Sequence, residues 1–190
     1  MTISVIRHAD HVLVPWKNGL GMTREVANAH RADGSLLWRI SLATVDRDGP
    51  FSDFAGCKRI IMMLSGDGMT LDFGPHGRAV MHEPFVPVIF DGGWQTSATL
   101  HGGPTRDLNV VTSHQGVRSA VEVLRIGAQD LPAVPGPGLT VLFVLDGRVG
   151  AGDVVLEQGD ALRMDGAREA VALHAADGRA VVYRIDIDLA

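Results

Sequence analysis

The chain has 190 residues, of which 46% are apolar, 21% charged and 5% aromatic, and its formal net charge is −5. High hydrophobicity with moderate charge excludes a disordered chain. We expect no nucleic-acid partner, because the protein is acidic and has no run of four like charges, and no membrane partner, because no apolar stretch approaches the roughly 20 residues of a membrane span.

Short strands joined by tight turns are favoured over a helical bundle, because the chain holds 23 glycines and 9 prolines. Residues 37–45 alternate in polarity, which predicts a strand with Arg39 and Ser41 on one face. Further strands are predicted at residues 23–30, 59–64, 69–73, 86–90, 96–100 and 108–112. One helical turn capped by Thr23 is the alternative for residues 23–30. The glycines of residues 65–68 predict a hairpin that pairs the strands on either side.

A second series of strands begins at residue 117. These strands are predicted at residues 117–126, 139–145, 154–156, 161–164, 170–174 and 181–187. Residues 127–138 hold three prolines and are predicted to form a connecting loop, because proline cannot donate to a central ladder. The regular spacing of the strands is typical of sandwiches and barrels.

A weak internal repeat indicates two similar halves. Residues 61–66 (IMMLSG) and 142–147 (LFVLDG) are alike at a spacing of 81 residues, although apolar strands also resemble one another by chance. The repeat predicts two barrel domains, residues 1–115 and 116–190. Whether the N-terminal strand crosses over to the second barrel stays open.

A cytoplasmic location is expected from the N-terminus and the cysteine content. Residues 1–8 lack the basic head and the apolar run of a signal peptide. Cys57 cannot form a disulfide within the chain, which fits a reducing compartment. We expect Cys57 to be an inert packing residue rather than a nucleophile.

The segment of residues 15–25 is the densest group of candidate ligand-binding residues. Its glycines would let the backbone approach a ligand closely, and no GK[ST] sequence follows that would make it a phosphate loop. A polar turn between strands is the alternative. The candidates in this segment are Trp16, Lys17, Asn18, Gly19, Thr23, Arg24 and Glu25.

Three predicted strands carry the remaining candidates. Arg39 and Ser41 share one strand face, Asp107 and Asn109 share another, and Arg59 lies on a third strand. If these faces point into a barrel, the side chains converge on a cavity suited to a small anion, because arginine binds carboxylates bidentately. The alternative is that the faces point to solvent, as charged residues mostly do.

Neither a metal centre nor a nucleophile is expected. None of the eight histidines forms an H-x-H pair, which on a strand would present both imidazoles on one face. No G-x-S-x-G sequence is present. We therefore predict no metal, no cofactor and no nucleophilic catalytic residue, while Glu25 and Asp107 are candidates for an acid–base pair.

The motifs identify a family resemblance. Residues 16–25 read WKNGLGMTRE, which resembles the WKNGGGTTRE signature of the HutD/Ves family. Further matches follow at residues 38–41, at residues 49–56 with Arg59, and at residues 103–110, so the resemblance covers most of residues 1–115. Leu20 stands where the family has glycine, which leaves the choice of ligand open.

The resemblance implies an all-β bicupin, with two small antiparallel β-barrel (cupin-like) domains in one chain. It also implies a metal-free protein that modulates histidine utilisation by binding a small anionic metabolite, such as N-formylglutamate or formate. The expected roles are carboxylate binding by Arg39 and Arg59, hydrogen bonding by Asn18, Ser41 and Asn109, orientation of the arginines by Glu25 and Asp107, and an apolar wall from Trp16.

Two other classes of function stay open. An isomerase or hydrolase would use Glu25 or Asp107 as the general base on a small carboxylated metabolite. A protein-interaction module would use the C-terminal barrel to dock a regulator or a second copy of the chain, which would make the protein a homodimer.

Overall fold

The structure, a computed structural model, describes residues 2–16, 21–129, 131–166 and 169–189. Within these ranges the regular elements are β-strands and two short 3-10 helices, His8–Asp10 and Gly74–His76, so the predicted all-β class is confirmed. None of the helices in the described ranges is long and apolar enough to cross a membrane. Contacts divide the chain into two compact units, His11–Gln115 and Met1–Asp10 with Gly116–Ala190.

The strands are numbered in chain order. The first eleven are β1 (Thr2–Ile6), β2 (Val12–Pro15), β3 (Met22–His30), β4 (Leu36–Val45), β5 (Gly49–Pro50), β6 (Cys57–Ser65), β7 (Met69–Asp72), β8 (Arg78–Met81), β9 (Pro87–Asp91), β10 (Ser97–Leu100) and β11 (Thr105–Ser113). The remaining eight are β12 (Val117–Ile126), β13 (Leu131–Ala133), β14 (Leu139–Asp146), β15 (Val149–Ala151), β16 (Val154–Leu156), β17 (Ala161–Asp165), β18 (Val171–Ala175) and β19 (Ala180–Leu189).

The unit His11–Gln115 consists of two antiparallel sheets. The larger has the strand order β2-β3-β4-β11-β6-β9, and the smaller has the order β5-β10-β7-β8. Its core joins both sheets, since Ile61, Met63 and Phe90 from the larger pack with Met69 and Leu71 from the smaller. Burying each of these side chains contributes about 1.5–3 kcal/mol, which holds the two sheets face to face.

The unit formed by Met1–Asp10 and Gly116–Ala190 also has two antiparallel sheets. Their orders are β1-β17-β14-β19-β12 and β13-β18-β15-β16. Leu142, Val144 and Val182 from the larger sheet pack with Leu156 and Leu173 from the smaller. This unit therefore has a separate core of its own.

The two units share one connectivity, strand for strand. The order β4-β11-β6-β9 becomes β12-β19-β14-β17 when eight is added to each number, and β5-β10-β7-β8 becomes β13-β18-β15-β16. The repeat predicted between residues 61–66 and 142–147 falls on β6 and β14, which are equivalent in this scheme. Two eight-stranded copies are thus the basis of the fold.

The first strand is paired outside the unit that follows it in sequence. β1 pairs antiparallel with β17, from Thr2 opposite Asp165 to Ile6 opposite Ala161. Just after β1, the Arg7 Nη1 donates to Asp160 Oδ2 at 2.7 Å and the His8 N–H donates to Asp160 Oδ1 at 2.8 Å. These bonds fix the N-terminal segment beside β17.

Two predictions about connections are wrong. Residues 65–68 do not form a hairpin, because β6 and β7 lie in different sheets. The chain passes from one sheet to the other at Gly66, which has φ of 111°. A Cβ at this position would lie 2.4 Å from the Pro104 carbonyl oxygen, so only glycine fits without a shift of the backbone. Residues 127–138 are not all loop, since they contain β13, where Pro132 is tolerated because β13 is an edge strand.

Candidate functional site

A cavity of about 180 Å³ opens in the unit His11–Gln115. It lies over one face of β4, β11 and β6, and β2, β3 and the segment after β5 form its remaining walls. The lining residues are Val14, Pro15, Trp16, Thr23, Arg39, Ser41, Ala43, Val45, Pro50, Phe51, Ser52, Phe54, Arg59, Asp107 and Asn109.

Strand register brings the polar residues of this face together. Ser41 of β4 lies opposite Asn109 of β11, and Arg39 and Arg59 both lie opposite Val111, one from each side. Because residues two apart on a strand share a face, Asp107 joins the same surface. The face does not point to solvent: Ser41 is 1% exposed, Asp107 1%, Asn109 4% and Arg59 7%.

Arg59 is the cation at the centre of the cavity wall. Its Nε and Nη2 donate to Asn109 Oδ1 at 3.0 and 2.7 Å, and Nη1 reaches the Ser52 carbonyl at 3.4 Å. Its Cζ lies 4.8 Å from the Phe51 ring centroid and 5.4 Å from that of Phe54. The rings cover the guanidinium and contribute cation–π attraction, so a ligand has access mainly to its edge.

Asp107 is linked to Arg59 through Asn109. The Asn109 Nδ2 donates to Asp107 Oδ1, and Asp107 Oδ2 is buried with no hydrogen-bond partner among the described residues. Burial raises the pKa of Asp107 to about 7, although the Arg59 charge and the Asn109 hydrogen bond act in the opposite direction. Burial also lowers the pKa of Arg59 to about 10, where Asp107 opposes the shift and Arg39 adds to it.

Arg39 is a second guanidinium on the same face. Its Cζ lies 4.9 Å from the Phe54 ring centroid, and its Nε is buried without a hydrogen-bond partner in the part of the chain that the structure describes. Burial lowers the pKa of Arg39, while the charge of Glu25 raises it. Glu25 itself accepts a hydrogen bond from Asn28 and does not line the cavity.

The signature segment contributes one wall as far as it is described. The Trp16 Nε1 donates to Thr23 Oγ1 at 2.8 Å, and both residues line the cavity. Arg24 follows Thr23 on β3 and does not line it, because alternate strand residues face opposite sides. Lys17, Asn18, Gly19 and Leu20 lie outside the described residues.

Comparison with known proteins identifies the chain. The model of the HutD family matches residues 8–182. The chain belongs to the HutD family. The resemblance of its sequence motifs to that family is therefore confirmed, and the match extends well beyond residues 1–115 into the second unit.

Individual relatives support the HutD assignment. An uncharacterized 21.2 kDa protein in the hutC 3′ region of Pseudomonas putida is 38% identical over 123 residues, 63% of each chain, so the match spans less than two thirds of that relative. Protein Ves of Citrobacter koseri is 32% identical over 142 residues, 74% of this chain and 72% of that one.

Solved structures support the fold. HutD from Pseudomonas fluorescens SBW25, solved in a formate condition, superposes with a TM-score of 0.83 at 29% identity over 98% of this chain and 99% of that one. A cupin 2 conserved barrel domain protein from Leptotrichia buccalis has a TM-score of 0.60 at 11% identity over 92% of each chain, which shows the cupin-like fold alone.

The aromatic cover of the HutD cavity was not predicted. Phe51, Ser52 and Phe54 line the cavity and belong to residues 49–56, which carry part of the family resemblance. The signal in the sequence is the pair of phenylalanines, Phe51 and Phe54, a few residues before the candidate ligand-binding residue Arg59. Aromatic rings near an arginine can stabilise its guanidinium when it is desolvated.

Metal and thiol chemistry have no support among the described residues of this HutD chain. In the described ranges no group of three or more histidine, cysteine, aspartate or glutamate residues could hold a metal ion. Cys57 is buried, and burial raises the pKa of its thiol. A raised pKa disfavours the thiolate that a nucleophile requires.

Proposed function

We propose that this chain is a cytoplasmic, metal-free protein that binds a small carboxylate anion in the cavity of the unit His11–Gln115 and thereby modulates histidine utilisation. The observation that carries the proposal is Arg59, a buried guanidinium on the cavity wall whose described hydrogen bonds go to a neutral amide and a carbonyl. A buried cation that donates no hydrogen bond to an anion is costly, and an anion in the cavity would accept such bonds.

The donor geometry favours a carboxylate over a spherical anion. A guanidinium has five N–H donors in a plane, and Asn109 and Ser52 occupy only some of those of Arg59. The Phe51 and Phe54 rings lie against the guanidinium, so a ligand would approach along its edge. A planar carboxylate can accept two parallel hydrogen bonds along such an edge.

Arg39 favours a ligand with a second acceptor. Its Nε is buried and has no hydrogen-bond partner within the described ranges, and its charge lowers the pKa of Arg59 because the two cations repel each other. A ligand with two carboxylates, or with a carboxylate and a carbonyl, would satisfy both arginines and screen their repulsion.

The link to histidine catabolism comes from the relatives. The Pseudomonas putida relative is named for the hutC 3′ region, and the Pseudomonas fluorescens HutD structure was solved in a formate condition. These names support a carboxylated intermediate of that pathway, such as N-formylglutamate, as the ligand. They also support formate as a smaller anion for the same arginines.

A thermal-shift panel tests the proposal. We expect N-formylglutamate at millimolar concentration to raise the Tm by about 5–10 °C, because a concentration of about 100 Kd stabilises by about 2.7 kcal/mol and a chain of this size shifts by about 2–4 °C per kcal/mol. Glutamate, urocanate and formate complete the panel, and the uncharged diamide of N-formylglutamate is the control. Unchanged Tm values with all four anions would reject the proposal.

An enzyme is the second candidate, and Asp107 is the observation that favours it. A buried carboxyl group with a pKa of about 7, and with one oxygen that has no hydrogen-bond partner among the described residues, is suited to act as a general base in an isomerase or hydrolase. Glu25 is less suited, since it lies off the cavity lining. We expect no turnover of the four metabolites when they are followed by NMR; turnover that disappears in Asp107→Asn would favour the enzyme.

A further inference from the structure

Asp107 is a buried carboxyl group whose two oxygens have different surroundings. Oδ1 accepts a hydrogen bond from Asn109, whereas Oδ2 is buried without a partner among the described residues. The residue is 1% exposed and lines the cavity. An ionised carboxylate in this position lacks solvation on one oxygen, whereas a protonated Oδ2 carries a hydrogen that a ligand can accept.

The charges around Asp107 come from three strands. Arg59 of β6 and Arg39 of β4 line the same cavity, and Glu25 of β3, whose charge raises the pKa of Arg39, is not among the lining residues. β2 has no titratable residue, and Asp53 in the segment after β5 is exposed. No ion pair joins Asp107 directly to an arginine within the described ranges, because Asn109 stands between Asp107 and Arg59.

An anion bound to the arginines would change the balance at Asp107. It brings a second negative charge into a cavity of about 180 Å³, and a carboxylate that enters a desolvated site raises the pKa of the carboxyl group already there. One proton between them converts the repulsion into a hydrogen bond from Asp107 to the ligand.

We propose that the cavity binds its carboxylate ligand together with one proton from solvent, which Asp107 holds on Oδ2 and donates to a ligand oxygen. This inference rests on the proposed function and specifies it further. It assigns Asp107 as a specificity-determining residue that selects a ligand with an acceptor atom beside its carboxylate, and it makes the affinity of the site depend on pH.

The pH range follows from the state of the empty cavity. Asp107 in the empty protein has a pKa of about 7. Below that pH Asp107 is already protonated, so ligand binding takes up little additional proton. Above pH 7 each binding event must recruit the proton. The affinity therefore falls as pH rises, and the fall approaches tenfold per pH unit.

Isothermal titration calorimetry in several buffers tests the inference directly. N-formylglutamate, whose own carboxyl groups stay ionised above pH 6, is titrated into the protein at pH 7.5 in PIPES, HEPES and Tris, which differ in ionisation enthalpy. The slope of the observed enthalpy against the buffer enthalpy counts the protons. We expect an uptake of about 0.5–1 proton per bound ligand, and a weaker affinity at pH 8.5 than at pH 6.5 by tenfold or more.

Two variants separate Asp107 from other groups. Asp107→Asn imitates the protonated carboxyl, and we expect it to bind N-formylglutamate with no proton uptake and with the same affinity at pH 6.5 and 8.5. Asp165→Asn, which removes an aspartate held by Arg163 in the other unit, should behave as the wild type. Binding without proton uptake, or the same uptake in Asp107→Asn, would overturn the inference alone. A wild-type protein that binds no carboxylate would overturn the proposed function and this inference with it.

Discussion

Substitution of Arg59 by alanine is expected to weaken the binding of N-formylglutamate by about 100-fold. Truncation of one partner of a buried, hydrogen-bonded charge pair costs about 2–5 kcal/mol, and about 2.8 kcal/mol corresponds to 100-fold. The loss is large because Arg59 is desolvated and lies against Phe51 and Phe54. Calorimetric titration of the two proteins at pH 6.5 measures it directly.

Two further variants make this result specific. Arg59→Lys keeps the positive charge but lacks the planar fork, and it should recover only part of the affinity. Arg184→Ala removes an arginine that pairs with Asp186 in the other unit, so its affinity should equal that of the wild type. Circular dichroism and the Tm establish that each variant is folded before titration. An Arg59→Ala protein that is folded and retains the wild-type Kd would remove Arg59 from the site.

Substitution of Asp107 by asparagine is expected to change the pH dependence of stability. The pKa of Asp107 is raised from 3.8 to about 7 in the folded protein, so the folded state holds the proton more tightly than the unfolded state. This contribution to stability is fully present below about pH 4 and is lost as pH rises through about 7. The slope approaches about 1.4 kcal/mol per pH unit, which amounts to about 4 kcal/mol across the window.

Urea denaturation of both proteins at pH 4.5, 6 and 8 measures this effect. Asparagine cannot ionise, so Asp107→Asn should become more stable relative to the wild type as pH rises from 4.5 to 8. The quantity to compare is the difference in unfolding free energy between the variant and the wild type at each pH. Any cost of the new amide donor that does not depend on pH cancels when these differences are compared. A stability difference that does not vary with pH would show that Asp107 keeps one protonation state throughout.

Asp160 provides a control with the opposite sign. Burial alone would raise its pKa, but hydrogen bonds from the backbone N–H groups of Glu157 and His8 and from Arg7 outweigh burial and lower it. The stability from Asp160 is therefore present above its unfolded pKa and lost as pH falls. Asp160→Asn should therefore lose a similar amount of stability relative to the wild type at pH 8 and at pH 4.5, and the loss should shrink only as pH falls below about 4, whereas the Asp107 effect changes between about pH 4 and 7.

Much of the strand pattern could be predicted, because alternation of polarity has a period of two in a strand. β12 and β16 have the predicted bounds, and β4, β6 and β11 differ by a few residues. Strands β1, β2, β5, β8, β13 and β15 were not predicted. They span two to five residues, too few for the alternation to stand out from chance.

The candidate site was predictable only in part. The polar strand faces predict five of the site residues, and all of these line one cavity: Arg39, Ser41, Arg59, Asp107 and Asn109. The bridging position of Asn109 between Arg59 and Asp107 was not predicted. It depends on the register of β11 against β6, and register is set by turns and by packing between distant segments.

The β-rich composition, the repeat between residues 61–66 and 142–147 and the polar strand faces were determined by the sequence itself, because each is a local pattern. Only the tertiary structure decided what covers those faces. β4 is buried on both sides, with Ile40 and Ser41 both at 1% exposure or less, although its alternation alone suggests one solvated face. The two-residue period of a strand predicts which side chains share a face. The element that packs on that face comes from elsewhere in the chain, so the period does not predict it.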